Sequence, residues 1–81
     1  MAEQFEECVQ KALQLTNLEE KDMLLLYSLY QQATEGDCNT PAPEDEDALK
    51  QWTAWNEKKG MEQDTAKVEY VNKVTQLTGG A

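Results

Sequence analysis

Aromatic residues are the one group in this sequence whose types and spacing suggest a ligand site. Six aromatics occur among 81 residues, and most stand at helical spacing. Buried phenol and indole groups need hydrogen-bond partners, so a cluster of them suits a cleft with one wet end. The same rings also supply core area, and core packing is the more ordinary interpretation. The sequence therefore permits a ligand site without requiring one at Tyr27, Tyr30, Trp52, Trp55 and Tyr70.

Catalytic and metal chemistry have little support in the sequence. The chain has no His, which removes the commonest general base, the commonest zinc ligand and every nucleophile arrangement that uses His. Its two cysteines, Cys8 and Cys38, lack the spacing of a metal knuckle or a redox pair. We expect Cys8 in the core and Cys38 accessible in a loop. The sequence favours a protein that is not an enzyme, with no metal site and no cofactor.

The charge of the chain excludes several partners. Seven Lys and Arg stand against 16 Asp and Glu, for a net charge of −9, which is the wrong sign for nucleic acid or anionic lipid. The acidic run Glu44–Asp47 lacks the alternating ligands and central Gly of a calcium loop, so it indicates a solvated helix start. The first twenty residues are unlike a signal peptide, and no long apolar run occurs. We expect a cytoplasmic protein without stable membrane insertion.

The elements that position these residues are helices. Leu, Val, Phe and Ile make up only 14 of the 81 residues, a composition typical of disorder, so periodicity must decide whether the chain folds. Four stretches repeat apolar residues at three- and four-residue steps, and no strand-like alternation occurs. The sequence predicts an all-α, monomeric four-helix bundle, with residues 1–81 as a single domain.

The first two helices are predicted from their apolar faces. Residues 3–15 carry an apolar stripe from Phe5 to Leu13. Asn17 and Glu20 have the spacing of a capping box, which predicts that the second helix starts there. Gly36 is placed to end that helix in a left-handed conformation. The predicted inner face of the second helix holds Met23, Leu24, Tyr27, Tyr30 and Ala33, widened by Leu25, Leu26 and Leu29.

Prolines and glycines delimit the second half of the chain. Residues 36–45 contain two prolines and read as a crossing loop. Asp45 can cap a third helix at 46–59, which Gly60 stops. A fourth helix at about 62–77 ends before Gly79 and Gly80. Its predicted inner stripe is Ala66, Tyr70, Val74 and Leu77.

Three segments of the sequence together resemble one family. They are MLLLYSLYQQATEGDCNTPAP at 23–43, KQWTAWNEKKG at 50–60 and AKVEYVNKVTQL at 66–77. In this order they are similar to the acyl-CoA-binding protein family over nearly the whole chain. The resemblance implies a four-helix bundle whose second and fourth helices line a bowl. It also implies that long-chain acyl-CoA is the ligand, held as a soluble pool by a carrier without catalysis.

The resemblance assigns a site residue by residue. Tyr27 and Tyr30 match the tyrosines that contact the nucleotide and phosphate end of the ligand, and Tyr70 matches a tyrosine near the ribose and thioester. Leu24 and Ser28 join them as expected ligand contacts on the second helix.

The lysines of the family's phosphate site are missing here. Gln31, Gln51 and Leu13 stand where the family has lysines, and Asn17 and Leu18 offer no match for a fourth. A charge-assisted hydrogen bond to phosphate contributes roughly 1.5 to 3 kcal/mol, so two lost lysines weaken binding by about a hundred- to ten-thousand-fold before glutamine recovers part. The loop before the third helix looks about two residues shorter than the family's, and Lys50 reaches the same phosphate only if this shorter loop rotates the third helix. The other remaining candidates are Lys11 and Lys21.

Two functions therefore stay open at the level of sequence. The first is an acyl-CoA carrier with a weakened or rearranged phosphate site. The second is a fold relative that has lost coenzyme A and acts as an interaction module or binds another lipid.

Overall fold

The computed structural model of the chain describes residues 2–79, and four α-helices account for most of that range. They are α1 (Ala2–Leu13), α2 (Glu20–Glu35), α3 (Glu46–Asn56) and α4 (Gln63–Leu77). Residues 2–79 contain no strand, which confirms the all-α prediction. None of the helices within this range is long and apolar enough to cross a membrane.

Helix α4 is central to the packing. It contacts α1 and α2, and α2 also contacts α3. Ala66, Tyr70 and Val74 are buried at four-residue steps along α4, as the periodicity predicts, and Leu77 packs against the same cluster. Core residues from α1 and α2 complete it: Phe5, Cys8, Leu26, Leu29 and Ala33. The second glycine predicted to end α4, Gly80, lies outside the described residues.

The start of α2 differs from the predicted capping box. The N-cap is Glu19, no side chain caps the helix, and the Glu19 carbonyl accepts from the amides of Asp22 and Met23, each at 3.0 Å. The prediction that α2 starts at Asn17 is therefore wrong. Glu20 and Asp22 in the first turn supply negative charge at the positive end of the helix dipole instead. By contrast, Asp45 caps α3 as predicted, since its carboxylate accepts from the Ala48 amide at 3.0 Å.

The two tryptophans fasten the loop between α2 and α3. Trp52 Nε1 donates to the Thr40 carbonyl at 2.9 Å, and Trp55 Nε1 donates to the Gly36 carbonyl at 2.8 Å. Gly36 itself has φ 85°, which favours glycine there. Cys38 is buried in this loop, so the expectation of an accessible thiol is wrong. The indole groups thus hold α3 and the loop against α2.

Asp37 joins this loop to the turn between α3 and α4. One of its carboxylate oxygens accepts from Gln32 Nε2 at 2.8 Å and from the Gly60 amide at 2.9 Å. Gln32 Nε2 also donates to the Met61 carbonyl at 2.7 Å. These bonds, the Gly60 amide first and Gln32 second, hold the pKa of Asp37 below its usual value of 3.8.

The lowered pKa of Asp37 predicts a stability difference that depends on pH. A carboxylate with a depressed folded pKa stabilises the fold above about pH 4, and this stabilisation is lost as pH falls through the folded pKa. We expect Asp37→Asn, which keeps the shape, to unfold at lower urea concentration than the natural chain at pH 7. At about pH 2 the two midpoints should converge. A constant difference at both pH values would contradict the prediction.

Candidate functional site

The open face of α2 carries the residues that the sequence singled out. Consecutive helical residues are rotated by about 100°, so Tyr27 and Gln31 share one face. Tyr30 lies to one side of that face and Leu24 and Ser28 to the other. Tyr27 and Gln31 are half-buried, and Tyr30 is 39% exposed.

The buried face of α2 differs from the prediction. Its fully buried positions are Leu26, Ser28, Leu29, Gln32 and Ala33. Met23, predicted inside, is 51% exposed, and that prediction is wrong. The helix is rotated so that Leu26 and Leu29 are buried in the core, Leu25 packs against it, and Leu24 lies in the α2–α3 groove. Tyr30 is left partly exposed on the α1 side of the helix.

One groove lies between α1 and α2. It has a volume of about 640 Å³. The Phe5 and Tyr30 rings stack across it with centroids 6.1 Å apart. Tyr70 of α4 lies behind these rings, edge-on to Phe5 at 5.2 Å and tilted to Tyr30 at 6.4 Å. The lining residues are Phe5, Glu6, Glu7, Val9, Gln10, Tyr30 and Thr34.

Burial changes the chemistry of Tyr70. It raises the pKa of the Tyr70 hydroxyl above its usual value, and neighbouring Cys8 and Tyr30 raise it further. The hydroxyl therefore stays protonated at neutral pH and keeps its capacity to donate a hydrogen bond.

A second groove lies between α2 and α3 and has a volume of about 500 Å³. Leu24, Leu25 and Leu49 give it apolar walls. Three lysines stand along it, and the buried Ser28 hydroxyl uses its donor on the Leu25 carbonyl at 2.7 Å. The full lining is Lys21, Leu24, Leu25, Ser28, Leu49, Lys50, Thr53, Ala54, Glu57 and Lys58.

Lys50 lines the α2–α3 groove, and neither predicted glutamine does. Lys50 Nζ pairs with Glu20 Oε1 at 3.0 Å, and this pairing raises the pKa of Lys50, first through the hydrogen bond. Gln51, the next residue, is exposed on α3. Leu13, at the end of α1, is 75% exposed and lines neither groove. The sequence pattern could not reveal the ion pair, because it joins two helices.

The two grooves share α2 as a common wall, with the face of Tyr27 and Gln31 between them. One groove is apolar with lysines along it, and the other is aromatic and acidic. Such a pair of adjoining clefts can hold an elongated amphiphile, with a tail in the apolar groove and a polar group across α2. Within the described part of the chain, no group of three or more acidic or Cys side chains is placed to hold a metal ion.

Known proteins provide an independent comparison. The family model described as "Acyl CoA binding protein" matches residues 2–74. The chain is 42% identical over 76 residues to "Acyl-CoA-binding protein" of Dictyostelium discoideum, which covers 90% of each chain. It is also similar to the crystal structure of Oryza sativa Acyl-CoA-Binding Protein 2, with a TM-score of 0.93 and 36% identity over 98% of this chain and 91% of that one.

One relative is much longer than this chain, and only a part of that relative matches. The chain is 41% identical over 68 residues, 82% of its length, to "Acyl-CoA-binding domain-containing protein 6 homolog" of Dictyostelium discoideum. It spans only 24% of that protein. The likeness to this relative therefore concerns one segment of a larger chain.

Proposed function

The chain belongs to the acyl-CoA-binding protein family, and on this premise we propose that it binds long-chain fatty acyl-CoA thioesters as an intracellular carrier. The observation that carries the proposal is the pair of grooves on either side of α2. An acyl-CoA has an apolar tail and a bulky anionic nucleotide. The α2–α3 groove offers apolar walls for the tail with lysines beside them for the phosphates, whereas Glu6 and Glu7 make the α1–α2 groove suited only to uncharged, ring-bearing parts of the nucleotide.

The acyl tail fits the α2–α3 groove. Leu24, Leu25 and Leu49 supply apolar walls there, and Ala54 keeps the groove open between the helices. Each methylene removed from water contributes about 0.8 kcal/mol, so a long chain gains several kcal/mol in this groove. This length-dependent gain is why we propose long-chain ligands.

The nucleotide end lies across the face of Tyr27 and Gln31 in this proposal, toward Tyr30. The hydroxyls of Tyr27 and Tyr30 and the Gln31 amide can donate neutral hydrogen bonds to phosphate. Lys50, which lines the α2–α3 groove, is the groove lysine nearest in sequence to Gln51. Neutral donors bind phosphate less strongly than lysines do. The phosphate site is accordingly weakened and moved toward α3. Tyr70 supports the ribose end from behind Tyr30.

The remaining features of the proposal follow from the same site. The grooves bind and shield an amphiphile, and the chain acts as a carrier rather than as an enzyme. We propose that it works as a monomer, since each groove is formed within a single chain, and that it acts in the cytoplasm.

Calorimetric titration tests the proposal. The natural chain is titrated with palmitoyl-CoA, coenzyme A and palmitate at low salt. We expect micromolar or tighter binding of palmitoyl-CoA, and weaker binding of each separate half. Absence of heat with palmitoyl-CoA, with retained helical circular dichroism, would contradict the proposal. It would support the alternative of a fold relative that has lost coenzyme A and binds a protein or another lipid.

A substitution in the α2–α3 groove tests whether the acyl tail binds there. Leu24→Asn removes apolar contact from the α2–α3 groove, and we expect it to weaken palmitoyl-CoA binding about threefold to fivefold, which corresponds to roughly one methylene of lost burial. Val68→Asn is the matched control, because Val68 is exposed on α4 and lines neither groove. Equal effects of the two substitutions in the titration would place the tail elsewhere.

A further inference from the structure

Two of the lysines that line the α2–α3 groove already form ion pairs with glutamates of this chain. Lys50 Nζ lies 3.0 Å from Glu20 Oε1, and Lys21 Nζ lies 3.5 Å from Glu19 Oε2. Within residues 2–79, acidic side chains at the start of α2 thus pair with two of the three lysines that line the groove. The cations best placed for an anionic ligand therefore have an internal partner.

The Glu20–Lys50 pair differs from the other because it connects two helices. Glu20 is the first residue of α2, and Lys50 is the fifth residue of α3. The pair therefore joins the two helices that form the groove, whereas Glu19 and Lys21 are close neighbours in sequence. Both side chains of the Glu20–Lys50 pair are more than half exposed, at 54% for Lys50 and 61% for Glu20. An ion pair this exposed is weak and exchanges partners readily.

We propose that Glu20 competes with the anionic group of the ligand for Lys50 and thereby lowers the affinity of the groove. The inference rests on the proposed function, and it adds an internal competitor to that site. The Lys50 ammonium has to leave Glu20 before it can approach a phosphate. Glu20 is thus a residue that sets affinity without having to touch the ligand.

The size of the effect follows from the exposure of the pair. Because exposed ion pairs contribute little, release of Lys50 should tighten binding by about twofold to fivefold at low salt. The gain should shrink as salt rises, since both the internal pair and the ligand contact are screened.

Four variants of the full chain test the inference by calorimetry with palmitoyl-CoA. They are Glu20→Gln, Lys50→Gln, the double variant, and the control Glu69→Gln. Glu69 is an exposed residue of α4 in the separate groove beside Leu29, so the control makes the same change of net charge away from Lys50. Circular dichroism verifies that each variant is folded.

We expect Glu20→Gln to bind more tightly than Glu69→Gln, and Lys50→Gln to bind more weakly than the natural chain. In the Lys50→Gln background, Glu20→Gln should give no more gain than the control substitution. Equal affinities of Glu20→Gln and Glu69→Gln, with binding by the natural chain intact, would overturn the competition and leave the proposed function standing. A gain that persists without Lys50 would also overturn it. Absence of binding by every variant would overturn the proposed function itself.

Discussion

The double variant Gln31→Lys, Gln51→Lys is expected to bind long-chain acyl-CoA at least about tenfold more tightly than the natural chain. Gln31 lies on the open face of α2 beside Tyr27, and Gln51 is exposed on α3, the helix that packs against α2. A charge-assisted bond to phosphate contributes roughly 1.5 to 3 kcal/mol, and about 1.4 kcal/mol is a tenfold change in affinity. Half of the free energy contributed by two such bonds is therefore sufficient for a tenfold gain in affinity.

Net charge needs its own control in this experiment. Thr65→Lys, Asn72→Lys adds the same two charges at exposed positions of α4, away from both grooves. We expect at most a small gain there, because long-range attraction is screened within about 10 Å at 0.1 M salt. The gain of the glutamine double variant should fall as salt rises. Unchanged affinity would indicate that neither introduced lysine reaches the phosphates, and it would leave Lys50 and Lys21 as the candidate phosphate contacts.

The helices that the sequence predicts best are those whose apolar residues form a single stripe. Helix α4 has Ala66, Tyr70 and Val74 at four-residue steps, and all three are buried. Helix α1 likewise buries Phe5 and Cys8. A single stripe on a helix can turn only one way, so its periodicity is enough to predict both the helix and its inner face.

The inner face of α2 was harder to predict because its apolar residues do not form a single stripe. Leu24 to Leu26 are three consecutive apolar residues and cover most of the helix circumference, so several rotations satisfy the pattern. Packing decides among them: Leu26 is buried, while Met23 is left exposed and Tyr27 half-buried. The sequence therefore provides the candidate ligand residues, and the rotation of α2 determines which of them line open space.

Patterns of neighbouring residues gave wrong or no predictions at positions whose structure depends on tertiary contacts. Asn17 has a suitable spacing from Glu20, yet the chain enters α2 two residues later. Cys38 lies in a loop rich in turn formers, yet the loop is fastened over it by Trp52 and Trp55. The Glu20–Lys50 pair joins residues thirty apart on two helices. Such contacts depend on how helices are placed, which spacing along one helix does not encode.

The aromatic residues proved to have more than one role. Trp52 and Trp55 use their indole nitrogens on loop carbonyls, so their polar groups are occupied by the fold. Tyr27 and Tyr30 remain at the open face of α2. Core packing and a ligand site were alternatives at the level of sequence, and the structure divides the set between them. Tyr70 is the residue at which the two roles meet.

Tyr70→Ala is expected to have the largest effect on stability of the substitutions considered. Tyr70 is 4% exposed, and its ring packs against Phe5 and Tyr30. Loss of a buried aromatic ring costs about 3 to 5 kcal/mol, through lost burial and the cavity left behind. A chain of this size has a total stability of about 4 to 12 kcal/mol, so the variant should be marginally folded. Urea unfolding followed by circular dichroism measures the loss.

Tyr70→Phe distinguishes the contribution of the Tyr70 ring from that of its hydroxyl. It keeps the ring contacts with Phe5 and Tyr30, and we expect its free energy of unfolding to stay within about 1 kcal/mol of the natural value. The hydroxyl is protonated at neutral pH at its ordinary pKa, and burial raises that pKa further, so it remains a donor for the ribose or thioester end of the ligand in the proposed pose. Its removal should therefore weaken palmitoyl-CoA binding about threefold while the unfolding midpoint changes little. A phenylalanine variant as unstable as Tyr70→Ala would show that the hydroxyl, rather than ring packing, holds this part of the core. Unchanged stability and unchanged affinity would restrict Tyr70 to the core and leave Tyr27 and Tyr30 as the ligand-facing tyrosines.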